Sequence, residues 1–189
     1  MRSTGTVQAS AGTDVLLRRS PRLLAGAVLP PVGTGDDRFI DAIEAALLGM
    51  DDSYVAAQGP PGTGKTHVGG HVIARLVARG WRIGVCAQGH AAVENMLSAV
   101  VRAGADPMQV GKEPKATTDP AWTALAKADD LATFASRHDA AGRGYVIGGS
   151  AWDLTNEKRV DRGQLDLLVI DEAGQFSLAK TLAVSVATR

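Results

Sequence analysis

GPPGTGKT, residues 59–66, follows the apolar run SYVAAQ (residues 53–58) and opens a stretch in which Val68, Val72, Ile73, Leu76 and Val77 recur at helical spacing. A GxxxxGK(S/T) loop between a strand and a helix has a definite physical use. Gly59, Gly62 and Gly64, with Pro60, Pro61 and Thr63 between them, let the backbone turn its N–H groups toward one point, and the helix N-terminus adds partial positive charge. Lys65 at the helix start can reach the β and γ phosphates of a nucleoside triphosphate, and Thr66 can hold Mg²⁺. The loop reads as an anion cradle.

Outward from the loop, strands and helices alternate. SYVAAQ, WRIGVCA (residues 81–87), YVIGG (145–149) and LDLLVI (165–170) are short apolar runs of strand length. Between them, Phe39, Ile40, Ile43, Ala46 and Leu47 mark one helix, the residues after Lys65 a second that stops at Gly80, and Ala92, Val93, Met96, Leu97, Val100 and Val101 a third that stops at Gly104. Trp122, Leu125, Leu131 and Phe134 suggest a further helix. The alternation predicts an α/β fold, a parallel sheet with helices on both faces. Gly69 and Gly70 each cost the loop helix about 1 kcal/mol relative to alanine, which points to close packing of that helix on the sheet. Residues 1–37, rich in Gly, Pro, Ser and Thr and ending in LPPVGTGDD, read as a leader or linker before a domain over residues 38–189.

LDLLVI ends in Asp171 and Glu172, which sets two acids at the C-terminal edge of the sheet, where ligands of parallel sheets bind. Beside a phosphate loop, Asp171 is expected to hold Mg²⁺ and Glu172 to take a proton from an attacking water. Two solvated acids at a strand end are the plain alternative. The pairing with Lys65 and Thr66 favours the chemical reading.

Composition narrows the classes. The 189 residues carry 20 basic and 20 acidic side chains and are 45% hydrophobic, an ordinary globular balance, so any nucleic-acid contact must be local. Arg75, Arg79 and Arg82 read as a solvated face. The single cysteine, Cys86, sits in an apolar run, which suggests a buried thiol and a reducing, cytoplasmic setting. No stretch approaches the roughly 20 apolar residues of a membrane helix. His67 and His71 stand four apart on the loop helix with no third ligand near in sequence, which favours ordinary histidines over a metal site.

DEAGQ resembles the DExxQ form of the second motif of superfamily 1 helicases, and three other stretches agree: GPPGTGKT, CAQGHAAVENML (residues 86–97), similar to their motif Ia, and VIGGSAWDL (146–154), similar to the motif after it. The resemblance is to nonsense-mediated-decay-type helicases, and closer still to the helicase part of bacterial proteins that join it to a RecB-like nuclease. It implies a RecA-like P-loop fold and an ATP-driven motor on single-stranded DNA or RNA. ATP chemistry would fall to Lys65, Thr66, Asp171, Glu172 and Gln175, with Mg²⁺ at Thr66 and Asp171. The strand would lie on the turn of Gln88, Gly89 and His90, on Asn95, and on the turn holding Ser150 and Trp152. Two features of such motors are missing from these residues, a GDxxQ motif and a second RecA-like domain. The sheet is therefore expected to be incomplete, short of the strand that normally lies between the phosphate-loop strand and the carboxylate strand. The rival readings are a non-catalytic remnant or split subunit whose partner supplies the missing domain or nuclease, and another P-loop ATPase.

Overall fold

A computed structural model describes residues 9–60 and 62–189; residues 1–8 and Pro61 lie outside the described residues. Five strands, β1 (Arg82–Cys86), β2 (Val110–Lys112), β3 (Thr123–Ala124), β4 (Tyr145–Gly148) and β5 (Leu167–Ile170), form one sheet in the order β3-β2-β4-β1-β5. Every strand pair in it is parallel. With helices on both faces this is an α/β RecA-like P-loop fold.

Side chains alternate across the sheet, and each face has its own core. Ile83 and Val85 of β1 and Val146 of β4 pack under helices α2 (Arg38–Leu48), α3 (Lys65–Ala78) and α4 (His90–Arg102) through Ile40, Val72, Leu76, Val93, Leu97 and Val100. Cys86, Tyr145 and Ile147 face the other way, onto Phe134 of α5 (Asp130–Ala140), Leu154 of α6 (Ala151–Thr155) and Val184 of α7 (Leu178–Val184). Burial on both faces is what makes β1 and β4 continuous apolar runs rather than alternating ones. The Cys86 thiol is fully buried, and burial pushes its pKa up to about 12, so it is chemically inert.

SYVAAQ is not a buried strand. Residues 55–58 carry no strand pairing, and Ala56, Ala57 and Gln58 are exposed. A strand needs a partner for its backbone groups. The run has apolar side chains but no neighbour, because β5, at the edge of the sheet, pairs only with β1 along its length. All four residues of β5 are half-buried, and among the described residues β5 pairs as a strand with β1 alone, while Leu165 before it bridges Thr188 in parallel.

Other expectations shift in detail. The segment of Lys112 and Trp122 supplies β2 and β3, so the fourth periodic helix begins at Asp130 and leaves out Trp122 and Leu125. Phe39 is exposed while Ile40 is buried. Residues 9–24, expected to be leader, contain helix α1 (Ala11–Leu16), which packs on α7. Asp14 of α1 is fully buried, pairs with Arg22 and accepts from Ser53 Oγ at 2.8 Å, while the Tyr54 hydroxyl donates to Arg19 O at 2.7 Å. These contacts tie the N-terminal segment to the approach to the phosphate loop. The three arginines are not simply solvated. Arg75 and Arg79 join α3 to Asp37, Asp41 and Glu44 around α2, and Arg82 grips Asp166 at the foot of β5.

The two helix glycines differ. A Cβ on Gly70 would lie 2.8 Å from Ala99 C and 2.9 Å from Ala99 O, so the close packing is against the α4 backbone rather than the sheet. A Cβ on Gly69 meets only the flexible end of Met96, at 3.2 Å. Gly70→Val therefore forces α3 and α4 apart at a cost of about 2–3 kcal/mol, a melting temperature lower by roughly 4–12 °C. Gly69→Ala, which gains up to about 1 kcal/mol of helix propensity, melts at or above the parent. Thermal unfolding of the two variants checks the contrast; equal shifts would remove the helix-contact account.

Candidate nucleotide site and the cavity beside it

The phosphate loop is held by its own side chains. Thr63 Oγ1 donates to Pro60 O at 2.8 Å, and a Cβ on Gly59 would sit 2.7 Å from that hydroxyl oxygen, so the loop closes only over glycine. Gly62 and Gly64 have φ of 80° and 78°, the left-handed region that glycine enters without penalty. Gly64 caps α3 and offers no side-chain acceptor, which leaves the first amides of a 14-residue helix without a side-chain cap. Uncapped N–H groups at a helix N-terminus are anion donors. Lys65 Nζ donates to Gly59 O at 2.7 Å and Pro60 O at 2.9 Å, which uses two of its three donors and holds the ammonium over the loop. Pro61, read as part of the cradle, lies outside the described residues.

The acids arrive from the other end of the chain. Asp171 continues β5, its N–H donating to Cys86 O at 2.9 Å, and its Oδ1 accepts from the Glu172 amide at 2.9 Å. Glu172 then takes φ 52° and ψ 41°, a left-handed conformation that costs a non-glycine residue about 1–2 kcal/mol. It turns the chain out of the strand into the one-turn 3₁₀ helix Ala173–Gln175, where the Gln175 N–H bonds to Glu172 O at 2.8 Å. Strain of this kind collects at functional sites.

A cavity of about 860 Å³ collects these groups. Gly62, Gly64, Lys65 and Thr66 line it from the loop, Asp171, Glu172 and Gln175 from the end of β5, and Gln88, Gly89 and Asn95 from the end of β1 and the start of α4. A cationic loop, a hydroxyl and a carboxylate around one cavity are the donor set that a nucleoside triphosphate with a hard divalent cation requires. Thr66 and Asp171 would hold the cation. Bound there, it would neutralise phosphate charge. The residues fit the group.

Two of the turns read as strand contacts open elsewhere. His90 and Ser150 line a second cavity of about 320 Å³ on the other side of α4, with Lys112, Glu113, Lys115, Lys127, Asp129, Asp153 and Arg159 among its walls. Gln88, Gly89 and Asn95 thus face the first cavity and His90 and Ser150 the second, so the motif Ia stretch divides between them. The Ser150 hydroxyl donates to Asp153 Oδ2 at 2.7 Å and accepts from the Asp153 amide at 3.2 Å, a complete capping box for α6. Its proton is already committed. Trp152 beside it is 76% exposed, with its ring free of the core. Gln88 Oε1 accepts from Lys180 of α7 at 3.3 Å, a contact across 92 residues that no local pattern announces. His67 and His71 lie ring to ring at 4.2 Å, and no cluster of three metal-ligating groups occurs among the described residues.

A family model described as an AAA domain matches residues 36–131, a span that holds the phosphate loop, β1, α4 and β2. The chain belongs to that AAA domain family. This AAA domain is a P-loop, helicase-type ATPase region, and membership implies nucleotide binding, usually with Mg²⁺. No curated protein and no solved structure matches the chain. Among the described residues no helix of the AAA domain is long and apolar enough to cross a membrane.

Proposed function

We propose that this chain is the ATP-binding region of a superfamily 1 DNA or RNA helicase, in which Lys65 and the loop amides grip ATP, Thr66 and Asp171 hold Mg²⁺, and Glu172 is the general base. Gln175 orients the attacking water or the γ-phosphate from the turn after Glu172. One observation carries the reading: residues more than a hundred positions apart, Lys65 with Asp171, Glu172 and Gln175, line one cavity together with the polar turn that follows β1. The chemistry needs these groups on opposing sides of a triphosphate.

The single strand lies along the C-terminal edge of the sheet, from the turn at His90 to the exposed ring of Trp152, on which a base can stack for about 1–3 kcal/mol. That Gln88 and Asn95 face the nucleotide cavity supports a coupling role for motif Ia, one end of the same helix turn serving ATP and the other the strand. The nonsense-mediated-decay type, and the form joined to a RecB-like nuclease, remain the nearest specific readings. Nucleic acid in a reducing cytoplasm is the expected setting.

Turnover is the test. Added single-stranded DNA or RNA should raise ATP hydrolysis several-fold, and Trp152→Ala should blunt the rise without altering nucleotide affinity. Hydrolysis that ignores nucleic acid would favour another P-loop ATPase. The second reading, a subunit whose partner supplies a further strand and domain, draws on β5, whose outer edge is unpaired beyond Leu165, and on the unpaired run before the loop. Unpaired edges hold geometry poorly.

A further inference from the structure

The second cavity has a wall built by one buried carboxylate. Glu94 of α4 is 4% exposed and accepts from Lys112 Nζ at 2.8 Å and from the amides of Lys115 at 2.7 Å, Ala116 at 3.1 Å and Thr117 at 2.7 Å. Burial alone would raise its pKa, but the Lys112 bond and the loop amides outweigh burial and hold it below the usual carboxylate range. Glu94 stays charged, and the loop after β2 is pinned around it. Lys112 Nζ, equally buried, also donates to Glu113 O at 2.6 Å, which leaves one ammonium donor unspent.

The lining acids are all engaged. Asp129 and Asp153 both pair with Arg159, Asp153 also closes the Ser150 capping box, and Glu113 pairs with Lys115. Lys127, exposed at the rim, makes no ion pair among the described residues, although its charge helps to hold the Asp129 carboxyl low, behind the larger effect of Arg159. The cavity is therefore polar apart from Ala128 and Leu131, with its acids all paired, Lys127 outside any ion pair among the described residues, and Lys115 bonded to Glu113 through one of its three ammonium donors. Its volume of about 320 Å³ is at the lower end of the small-ligand range of about 300–1,000 Å³.

We infer that this cavity is a phosphate subsite for the single strand, with Lys127 and Lys115 gripping one backbone phosphate where the strand passes between His90 and Trp152. The inference rests on the proposed strand path along this sheet edge. It adds to that path a contact on the β2 side of the sheet, from a loop that Glu94 holds in place. Phosphate contacts carry affinity and set position without reading sequence.

Salt dependence tests it. The logarithm of affinity for single strands falls with the logarithm of salt at a slope of about 0.7 per phosphate neutralised. Binding of a labelled oligothymidylate, titrated at several chloride concentrations, should lose about 0.7 of slope, the share of one phosphate, in the Lys115→Ala, Lys127→Ala double variant. Its melting temperature and nucleotide affinity should match the parent, and Lys127→Arg should keep the parental slope. Arg102→Ala with Arg143→Ala, at the last residue of α4 and just before β4, at the opposite edge of the sheet, is the charge control and should leave the slope unchanged. An equal loss in that control would mean a general charge effect and overturn the subsite. So would an unchanged slope in the double variant while Trp152→Ala weakens binding, an outcome that leaves the strand path standing. A parent chain that binds no strand at any salt removes both. Inorganic phosphate at matched ionic strength should compete no better than chloride; competition that vanishes in the double variant would assign the cavity to free phosphate instead.

Discussion

Glu172→Gln lowers ATP turnover by about 10²- to 10⁴-fold, the range a positioned general base supplies, and leaves nucleotide affinity within about twofold. The amide keeps the shape of the side chain and loses its ability to accept a proton. Glu172 is the residue to test because its backbone is held in the left-handed region and its side chain lines the same cavity as Lys65. Asp171 is a poorer choice, since its Oδ1 accepts the next amide and its loss would disturb the turn itself. Phosphate release measured with saturating single strand, beside a titration with a fluorescent nucleotide, separates chemistry from binding. Parental turnover in the variant would take the base role from Glu172. A parent chain that binds nucleotide yet turns none over would behave as the split subunit does.

Lys65→Ala weakens nucleotide binding roughly 10- to 150-fold. The ammonium sits over the loop on two carbonyls, 2.7 Å and 2.9 Å away, with a donor left for phosphate. A hydrogen bond to a charged group contributes about 1.5–3 kcal/mol, and each 1.4 kcal/mol is a factor of ten. The substitution leaves the helix intact, because alanine at the first position of α3 is a better helix former than lysine. Calorimetric titration with ATP and Mg²⁺ reads the effect directly. Unchanged affinity would remove the cradle, and with it the assignment of Thr66 and Asp171 to the cation.

Both variants probe groups that could be named before any coordinates were known. GxxxxGKT and DEAGQ each carry a mechanism in their spacing, and the helix faces around Val72 and Val93 repeat every three or four residues as a buried stripe must. The apolar runs of β1, β4 and β5 were equally plain. SYVAAQ has the composition of a strand and is not one for a physical reason: apolar content measures how readily a segment is buried, and a strand also needs a neighbour with free N–H and C=O groups. β2 and β3 are strands that no pattern announces, for the converse reason. Val110–Lys112 and Thr123–Ala124 are too short to show a period, and β4 makes a strand of the first, β2 of the second.

The sequence by itself determined the chemistry of the two motifs, the parallel α/β class and the stopping points of the main helices, because each depends on residues within a few positions of one another. Only the tertiary structure decided that the loop and the acids share a cavity, that motif Ia divides between two cavities, and that Glu94 pins a loop some twenty residues away. Those facts depend on which strands lie side by side, and side-by-side placement is set by packing across both faces of the sheet. No window along the chain contains it.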